Sequence, residues 1–207
     1  MKSLHALLFF AIGSLFIAFL YQDEIVLTAV VAIGCIAALE MDRWKNLKKF
    51  LVAVAVGGAC ENIAVWLGGW GYTNAGFLFT PLWLPLGWGF TVLLLEESFA
   101  KNAPAYFSWK ALLLAFAGTM LAALASSDEG ITLFLFSAFT LGAFRFGLYS
   151  PLEINAGIAA AILGTAMEGI SIWAGNWQYP VAMFGVPLWL PLCWMNAFLI
   201  MRRIIRI

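Results

Sequence analysis

The sequence predicts an all-α, polytopic membrane protein of about eight transmembrane helices, arranged as two parallel four-helix repeats within a single transmembrane domain, 1–207. Three observations predict it: the composition, the number of apolar runs and the placement of the basic residues. Of 207 residues, 64% are hydrophobic and 11% are charged, whereas a soluble domain has about 25% charged residues. So little polar surface cannot solvate a globule of this size, and a bilayer removes that requirement.

Eight apolar runs approach the roughly 20 residues that a helix needs to cross a membrane. We expect helices near residues 4–20, 25–40, 49–67, 82–98, 109–126, 131–149, 152–173 and 184–201. A signal peptide is the alternative for the first run, but Phe19-Leu20-Tyr21 offers no small-residue cleavage site. We therefore expect the first run to be a transmembrane helix.

The basic residues all fall on one side of an eight-span arrangement. The opposite loops, near residues 21–24, 68–81, 127–130 and 174–186, contain none of the 11 lysines and arginines. The positive-inside rule then places both termini in the cytoplasm, and we expect an integral protein of a bacterial inner membrane. The net charge is zero and no basic run is long, which argues against nucleic acid as a partner.

Two segments of the first half recur in the second half. ENIAVWLGGWGY at 61–72 returns as EGISIWAGNWQY at 168–179, and PLWLPLGW at 81–88 returns as PLWLPLCW at 187–194. The matches predict an internal duplication, with repeat one at 1–105 and repeat two at 106–207. Because each repeat holds an even number of spans, the two are expected to share one orientation and to be related by an axis along the membrane normal.

The same offsets bring opposite charges to matched positions at the cytoplasmic ends. Glu40 corresponds to Arg145, and Glu96-Glu97 corresponds to Arg202-Arg203. These pairs could tie the repeats together. Separate solvation is the alternative, because exposed ion pairs contribute little stability.

Glu61 and Glu168 are the candidate catalytic residues. Each lies several residues inside an apolar span, where a carboxyl is costly and is by default a functional hypothesis. A low dielectric favours the neutral carboxyl, and two symmetry-related acids can share one proton. The structural alternative is a pair of helix-to-helix hydrogen bonds, with Asn62 or Thr165 as partners.

Aromatic residues concentrate in the repeated segments and form, with Asn62, the candidate substrate-binding set. The set comprises Trp66, Trp70, Tyr72, Trp83, Trp88, Trp173, Trp177, Tyr179, Trp189 and Trp194. Tryptophan and tyrosine also anchor helices at membrane interfaces, whereas aromatic faces attract cations. Both interpretations stay open.

The repeated PLWLPL segments predict irregular backbone beside the glutamates. Pro81 and Pro187 are expected to start the following helices, and Pro85 and Pro191 to kink or loosen them one turn later. The connections that precede these segments are too long for tight turns, so we expect them to fold as outer lids over the site.

The sequence lacks the residues on which several kinds of catalysis depend. The chain has one histidine, His5, and no Asp-rich cluster that would hold magnesium and a diphosphate. The three cysteines have no ligand-like spacing and are interpreted as packing residues. The sequence therefore predicts no metal site and no cofactor.

The second repeat resembles a known family at these residues. From Glu168 to Trp194 it reads E-G-x5-G-x-W-x-Y followed by FGVPLWLPLCW, which resembles the membrane carotenoid hydratases of the bisanhydrobacterioruberin hydratase type. The first repeat, at ENIAVWLGGWGY, is similar to the small membrane lycopene cyclases. The Pro-x-Glu-Glu motif of those cyclases is replaced here by Pro-Leu-Trp-Leu-Pro-Leu, and Pro151-Leu152-Glu153 is only a fragment of it.

The resemblance implies an enzyme that modifies a lipid-soluble isoprenoid. One glutamate would protonate a carbon–carbon double bond, and the aromatic shell would stabilise the tertiary cation. The second carboxylate would direct water onto the cation, as in a hydratase, or remove a proton after ring closure, as in a cyclase. The alternative is a non-enzymatic membrane protein that binds or transports a lipid or small solute through a symmetric cavity, and a structural partner in a membrane complex is a third.

Overall fold

The chain is all-α, as the sequence predicts. The structure, a computed structural model, describes all residues except 1, 41, 42, 77, 101–106, 183 and 207. The eight α-helices of the described residues are α1 Lys2–Leu20, α2 Glu24–Glu40, α3 Arg43–Trp66, α4 Leu84–Leu95, α5 Trp109–Ala125, α6 Glu129–Arg145, α7 Pro151–Trp173 and α8 Leu190–Ile204. A π-helical segment, Glu96–Ala100, continues α4, and two short strands, β1 Gly71–Tyr72 and β2 Trp177–Gln178, follow α3 and α7.

Helices α3 and α8 differ most from the apolar runs of the sequence, whereas the other six helices begin and end within four residues of theirs. Helix α8 begins at Leu190, after a turn, and not near residue 184. The expected roles of the prolines are wrong for the same reason. Pro81 and Pro187 accept turn hydrogen bonds from the amides of Leu84 and Leu190 before each helix begins. Pro85 and Pro191 then lie in the first helical turn, where a missing amide donor costs nothing, so no kink follows.

Helix length and composition support fewer spans than the sequence suggests. Among the described residues, two helical segments are both long and apolar enough to cross a membrane, Asn46–Trp66 in α3 and Glu153–Trp173 in α7. Helices α1, α2 and α5 contribute shorter apolar stretches, Ala11–Leu20, Glu24–Ile36 and Trp109–Ala125. Helix length and apolar composition thus support a helical protein with two apolar helices at matched positions, and they do not support eight spans.

The helices of the two halves interlock. Helix α3 packs most extensively on α4, and α7 packs equally extensively on α8. Helix α1 packs against α7, and α5 packs against α3. Each half therefore places its first helix on the third helix of the other half, which joins both halves around α3 and α7.

The long connections after α3 and α7 begin in the same way. Gly68 and Gly175 have φ values of +82° and +78°, a left-handed conformation that glycine adopts at little cost. The amides of Gly69 and Asn176 then bond back to the carbonyls of Ala64 and Ser171, at 2.9 and 3.0 Å. Both helices thus end in a Schellman turn, which directs the chain back over the helix end.

The two connections meet in a two-stranded antiparallel sheet that the sequence did not predict. Gly71 pairs with Gln178, and Tyr72 pairs with Trp177. The connections are also fastened to the helices that begin nearby: the carboxylate of Glu129 accepts from the Leu188 amide at 2.6 Å, and that of Glu24 accepts from the Leu82 amide. Glu24 and Glu129, which lie 105 residues apart at matched positions of the two halves, therefore hold the connections in place.

At the opposite end of the helices, a buried cluster of charges joins the two halves. Arg202, which is fully buried, donates to Glu96 at 2.5 Å, to Glu153 at 2.8 Å and to the Ala100 carbonyl at 3.0 Å. The expected pairing of Glu96 with Arg202 is confirmed.

The remaining members of the cluster depart from the sequence expectation. Arg203 bonds Glu153 at 2.7 Å, and Arg206 pairs with Glu96. Glu153, which the sequence placed only in a motif fragment, is a central member. The side chain of Glu40, expected to pair with Arg145, lies outside the described part of the chain, as do Lys101 and the boundary between the repeats at residues 105 and 106.

Candidate active site

Glu61 and Glu168 are each held by three hydrogen-bond donors of the same kinds. Oε2 of Glu61 accepts from the Trp70 indole at 3.0 Å and from the Tyr72 hydroxyl at 3.0 Å, and Oε1 accepts from the Trp88 indole at 3.1 Å. The donors come from the connection after α3 and from α4. Each glutamate therefore fixes its own connection and the following helix to the middle of the bundle.

Glu168 repeats this arrangement in the second half. Its Oε2 accepts from the Trp177 indole at 3.1 Å and from the Tyr179 hydroxyl at 2.5 Å, and its Oε1 accepts from the Trp194 indole at 3.0 Å. Every donor occupies the position that matches its counterpart in the repeated segments. The duplicated motif thus builds two copies of one carboxyl site.

The aromatic side chains of the two copies pack across one another. Trp70, which bonds Glu61, lies with its ring centre 5.7 Å from that of Tyr179, which bonds Glu168. Tyr72 and Trp177 form the reciprocal contact at 5.4 Å. The two carboxyl sites are therefore in direct contact through the aromatic side chains that bond them.

Trp88 and Trp194 stack on each other between the two sites. Their ring centres are 5.3 Å apart and their planes are inclined by 19°. Gly57 on α3 makes room for Trp88, because a Cβ at that position would lie 2.5 Å from the Trp88 Cγ. Gly164 on α7 does the same for Trp194. These glycines allow the indoles to reach the carboxyls, a role that the sequence did not predict.

Two apolar cavities meet at the carboxyl pair. Cavity one is bounded mainly by α1, α2 and α4, and cavity two by α5, α6 and α8. The volumes that a water-sized molecule can occupy are about 200 Å³ in cavity one and about 90 Å³ in cavity two. Glu61, Glu168, Trp88 and Trp194 line both cavities. Both acids thus face the same two apolar spaces.

The two cavities also contain different members of the aromatic set. Tyr72, Trp83 and Trp177 line cavity one, whereas Trp70, Tyr179 and Trp189 line cavity two. Besides the shared Trp88 and Trp194, each cavity therefore contains one indole and one phenol that bond a carboxyl, together with one indole that does not.

The donor set determines what these carboxyls can do. Indole nitrogens only donate, whereas a phenol oxygen donates and accepts. When Glu61 or Glu168 is protonated, its carboxyl can therefore donate a hydrogen bond to the hydroxyl oxygen of Tyr72 or Tyr179, and when it is ionised it can accept one from the same hydroxyl. The 2.5 Å separation between Tyr179 and Glu168 is in the range of charge-assisted O–H···O bonds. The arrangement suits a carboxyl that alternates between a proton donor and a proton acceptor.

Three predicted site residues lie apart from the carboxyls. Trp66 and Trp173 end α3 and α7 and are 68% and 86% exposed, and neither lines cavity one or cavity two. Asn62 bonds the Gly58 carbonyl and the Thr80 hydroxyl, and its oxygen accepts from the Phe79 amide. It fixes the approach to α4, and none of these three predicted substrate-binding residues lines cavity one or cavity two.

The glutamates do not form the helix-to-helix hydrogen bonds with Asn62 or Thr165 that the structural alternative required. Asn62 does not bond either glutamate, and the buried hydroxyl of Thr165 has no hydrogen-bond partner. The carboxyls instead bond aromatic donors, most of them from the connections. Tyr21, which was not among the predicted site residues, donates to the Asn74 carbonyl and packs against Trp83 and Trp177.

Comparison of the chain with protein-family models, with curated proteins and with solved structures finds no significant match. Within the described residues, no group of three or more histidine, cysteine, aspartate and glutamate side chains is placed to hold a metal ion.

Proposed function

We propose that this chain is a polytopic membrane protein that modifies a lipid-soluble isoprenoid by protonating one of its carbon–carbon double bonds. The observation that carries the proposal is the pair of carboxyls at the junction of two apolar cavities, each surrounded by aromatic donors. The resemblance of the repeated segments to carotenoid hydratases and lycopene cyclases supports the same reaction class.

A bilayer location is supported by the outer surface. Large apolar side chains lie exposed on six of the eight described helices, and Phe19, Ile25, Leu113, Phe134 and Leu141 are each at least 69% exposed. Extended apolar surface of this kind marks contact with lipid or with another protein. Together with basic residues at one end of the bundle, this supports membrane insertion with both termini in the cytoplasm.

The reaction uses the two carboxyls in sequence. A protonated glutamate transfers its proton to one carbon of the double bond and becomes a carboxylate, which leaves a tertiary cation at the other carbon. Indole and phenol faces line the space beside the acids and stabilise such a cation. Water then bonds to the cation and loses its proton to the second carboxylate.

The group that attacks the cation determines the product. Addition of water gives a tertiary alcohol, whereas attack by a second double bond followed by proton loss gives a ring and no change in mass. In both cases the proton that leaves the substrate goes to the second carboxylate, so the pair is ready again with the roles exchanged. These steps are general acid–base catalysis by the chain's own residues.

Lipid extraction and mass analysis of cells with and without the protein test the proposal. An isoprenoid that gains the mass of one water indicates a hydratase, and an isomer of equal mass indicates a cyclase. Unchanged lipid composition, with altered uptake or efflux of a lipid or small solute, would replace the enzyme with the transport alternative.

A further inference from the structure

The two cavities are built from matched helices of the two halves. Cavity one is enclosed mainly by α1, α2 and α4 of the first half with α7 of the second, and cavity two by α5, α6 and α8 of the second half with α3 of the first. On the first helix of each half, Gly13 and Ser14 line cavity one, and Gly118 and Thr119, 105 residues later, line cavity two. The cavities therefore differ through the side chains at equivalent positions.

Helices α2 and α6 carry different side chains at two positions that line the cavities. Each helix has 17 residues, so their residues correspond one to one at an offset of 105. Val31 and Gly34 line cavity one, whereas Phe136 and Phe139 occupy the equivalent positions and line cavity two. Phe136 is held in place by stacking on Trp189, with ring centres 5.5 Å apart and planes inclined by 8°. Two aromatic rings thus occupy space in cavity two that is open in cavity one.

The volumes of the cavities agree with this difference. A water-sized molecule can occupy about 200 Å³ in cavity one but only about 90 Å³ in cavity two. Two other differences act in the opposite direction, because Ile17 and Met167 of cavity one correspond to the smaller Ala122 and Cys60 of cavity two. Cavity two is nevertheless the smaller space, which is the result expected of the two phenylalanines.

Cavity one also reaches the outer surface of the bundle. Ile12 and Phe16 on α1 line it and are 49% and 43% exposed. Among the described residues that line cavity two, none is as exposed. Exposed apolar side chains at the mouth of an apolar cavity are suited to contact with lipid. A lipid-soluble molecule would therefore enter cavity one from the side of α1.

We propose that cavity one alone is the substrate-binding site, and that Phe136 and Phe139 close cavity two to an isoprenoid chain. This inference rests on the proposed function, since it assigns the substrate to one side of the carboxyl pair. The reacting double bond then lies in cavity one, which both glutamates line. The tertiary cation forms beside Tyr72, Trp83 and Trp177, which line the same cavity. Only one of the two equivalent cavities therefore binds substrate.

Exchange of the matched side chains closes one cavity or opens the other. Gly34→Phe places in cavity one the ring that Phe139 places in cavity two, and a Cβ at Gly34 meets only Phe90 Cε2, at 4.0 Å, so the helix can accept a side chain there. Phe136→Val/Phe139→Ala is the opening variant, because it removes both rings from cavity two. Gly142→Phe is the control, since a Cβ at this position of α6 meets no atom within 4 Å and Gly142 lines neither cavity.

Native mass spectrometry of the purified full chain in detergent counts the molecules bound per chain, with an acyclic carotenoid hydrocarbon as the probe. The wild type and Gly142→Phe are expected to bind one molecule, Gly34→Phe none, and the opening variant two. Circular dichroism establishes that each variant retains its helices.

The possible failures of the two proposals differ. Two molecules on the wild type, or one molecule still bound to Gly34→Phe, would overturn the assignment of cavity one as the sole site. A folded opening variant that binds no more than the wild type would overturn the role of the two phenylalanines. If the opening variant does not fold, Gly34→Phe compared with Gly142→Phe still decides which cavity is occupied. Absence of any carotenoid on the wild type would instead remove the proposed function, and this inference with it.

Discussion

Replacement of Gly57 by alanine tests the packing that brings Trp88 to Glu61. Gly57 lies on α3, one turn before Glu61. A Cβ there would lie 2.5, 2.7 and 2.8 Å from Cγ, Cβ and Cδ2 of Trp88. The indole is rigid and stacks on Trp194 with ring centres 5.3 Å apart. It can yield only by moving away from α3, which breaks its 3.1 Å hydrogen bond to Glu61.

The size of the effect follows from three contributions. Overpacking of a close contact costs about 1–3 kcal/mol. Loss of a hydrogen bond to a charged group costs about 1.5–3 kcal/mol, and alanine in a helix gains about 1 kcal/mol over glycine. We therefore expect Gly57→Ala to lower the free energy of unfolding by about 2–5 kcal/mol.

Denaturant unfolding in detergent, followed by tryptophan fluorescence, measures this loss. Gly142→Ala is the matched control, because that helical glycine faces open space and should only gain the helix propensity. If Gly57→Ala proved as stable as Gly142→Ala, the close approach of Trp88 to α3 would be refuted.

Two further predictions concern the opposite end of the bundle and the topology. Arg202→Met leaves Glu96 and Glu153 buried with one arginine partner fewer and should cost about 3–5 kcal/mol of unfolding free energy in detergent; a loss no larger than that of Arg203→Met, whose side chain is 16% exposed, would contradict the cluster's role. Cysteine at Gln178 should react with an impermeant thiol reagent from outside intact cells, whereas cysteine at Lys48 should react only after the membrane is opened; the reverse pattern would invert the topology.

The sequence predicted most of the helices and the two glutamates because those features have local signatures. An apolar run of sufficient length reports a helix whatever it packs against, and a carboxyl such as Glu61 within such a run is conspicuous without a structure. The pairing of Glu96 with Arg202 was also predictable, because the duplication relates their positions and opposite charges occupy them.

The remaining features of the site depend on the path of the connections after α3 and α7, which the hydropathy of the sequence does not specify. Nothing local indicates that Tyr72 meets Trp177 from a connection 105 residues away in the chain, or that Trp70 rather than Asn62 holds Glu61. Trp66 resembles Trp70 in type and position, yet one is exposed at a helix end and the other bonds the carboxyl. Glu153 was overlooked because the offset of the duplication does not relate it to Arg202.

The donor geometry changes how a glutamate-to-glutamine replacement must be interpreted. Both oxygens of Glu61 accept hydrogen bonds from donors. Glutamine would place its amide N–H₂ against an indole N–H, so a purely structural glutamate would not tolerate glutamine, contrary to a simple isosteric argument. Removing the opposing indole as well, in Glu61→Gln/Trp88→Phe, eliminates this conflict while still removing the transferable proton.

The reaction rate of that double variant, relative to Trp88→Phe alone, tests the central claim most directly. Glu168→Gln/Trp194→Phe relative to Trp194→Phe is the matched measurement in the second half. If the carboxyl pair transfers the proton, conversion of the isoprenoid should fall by about two to four orders of magnitude in at least one of the two comparisons, with folding retained. Rates equal to those of the tryptophan variants alone in both halves would contradict the account.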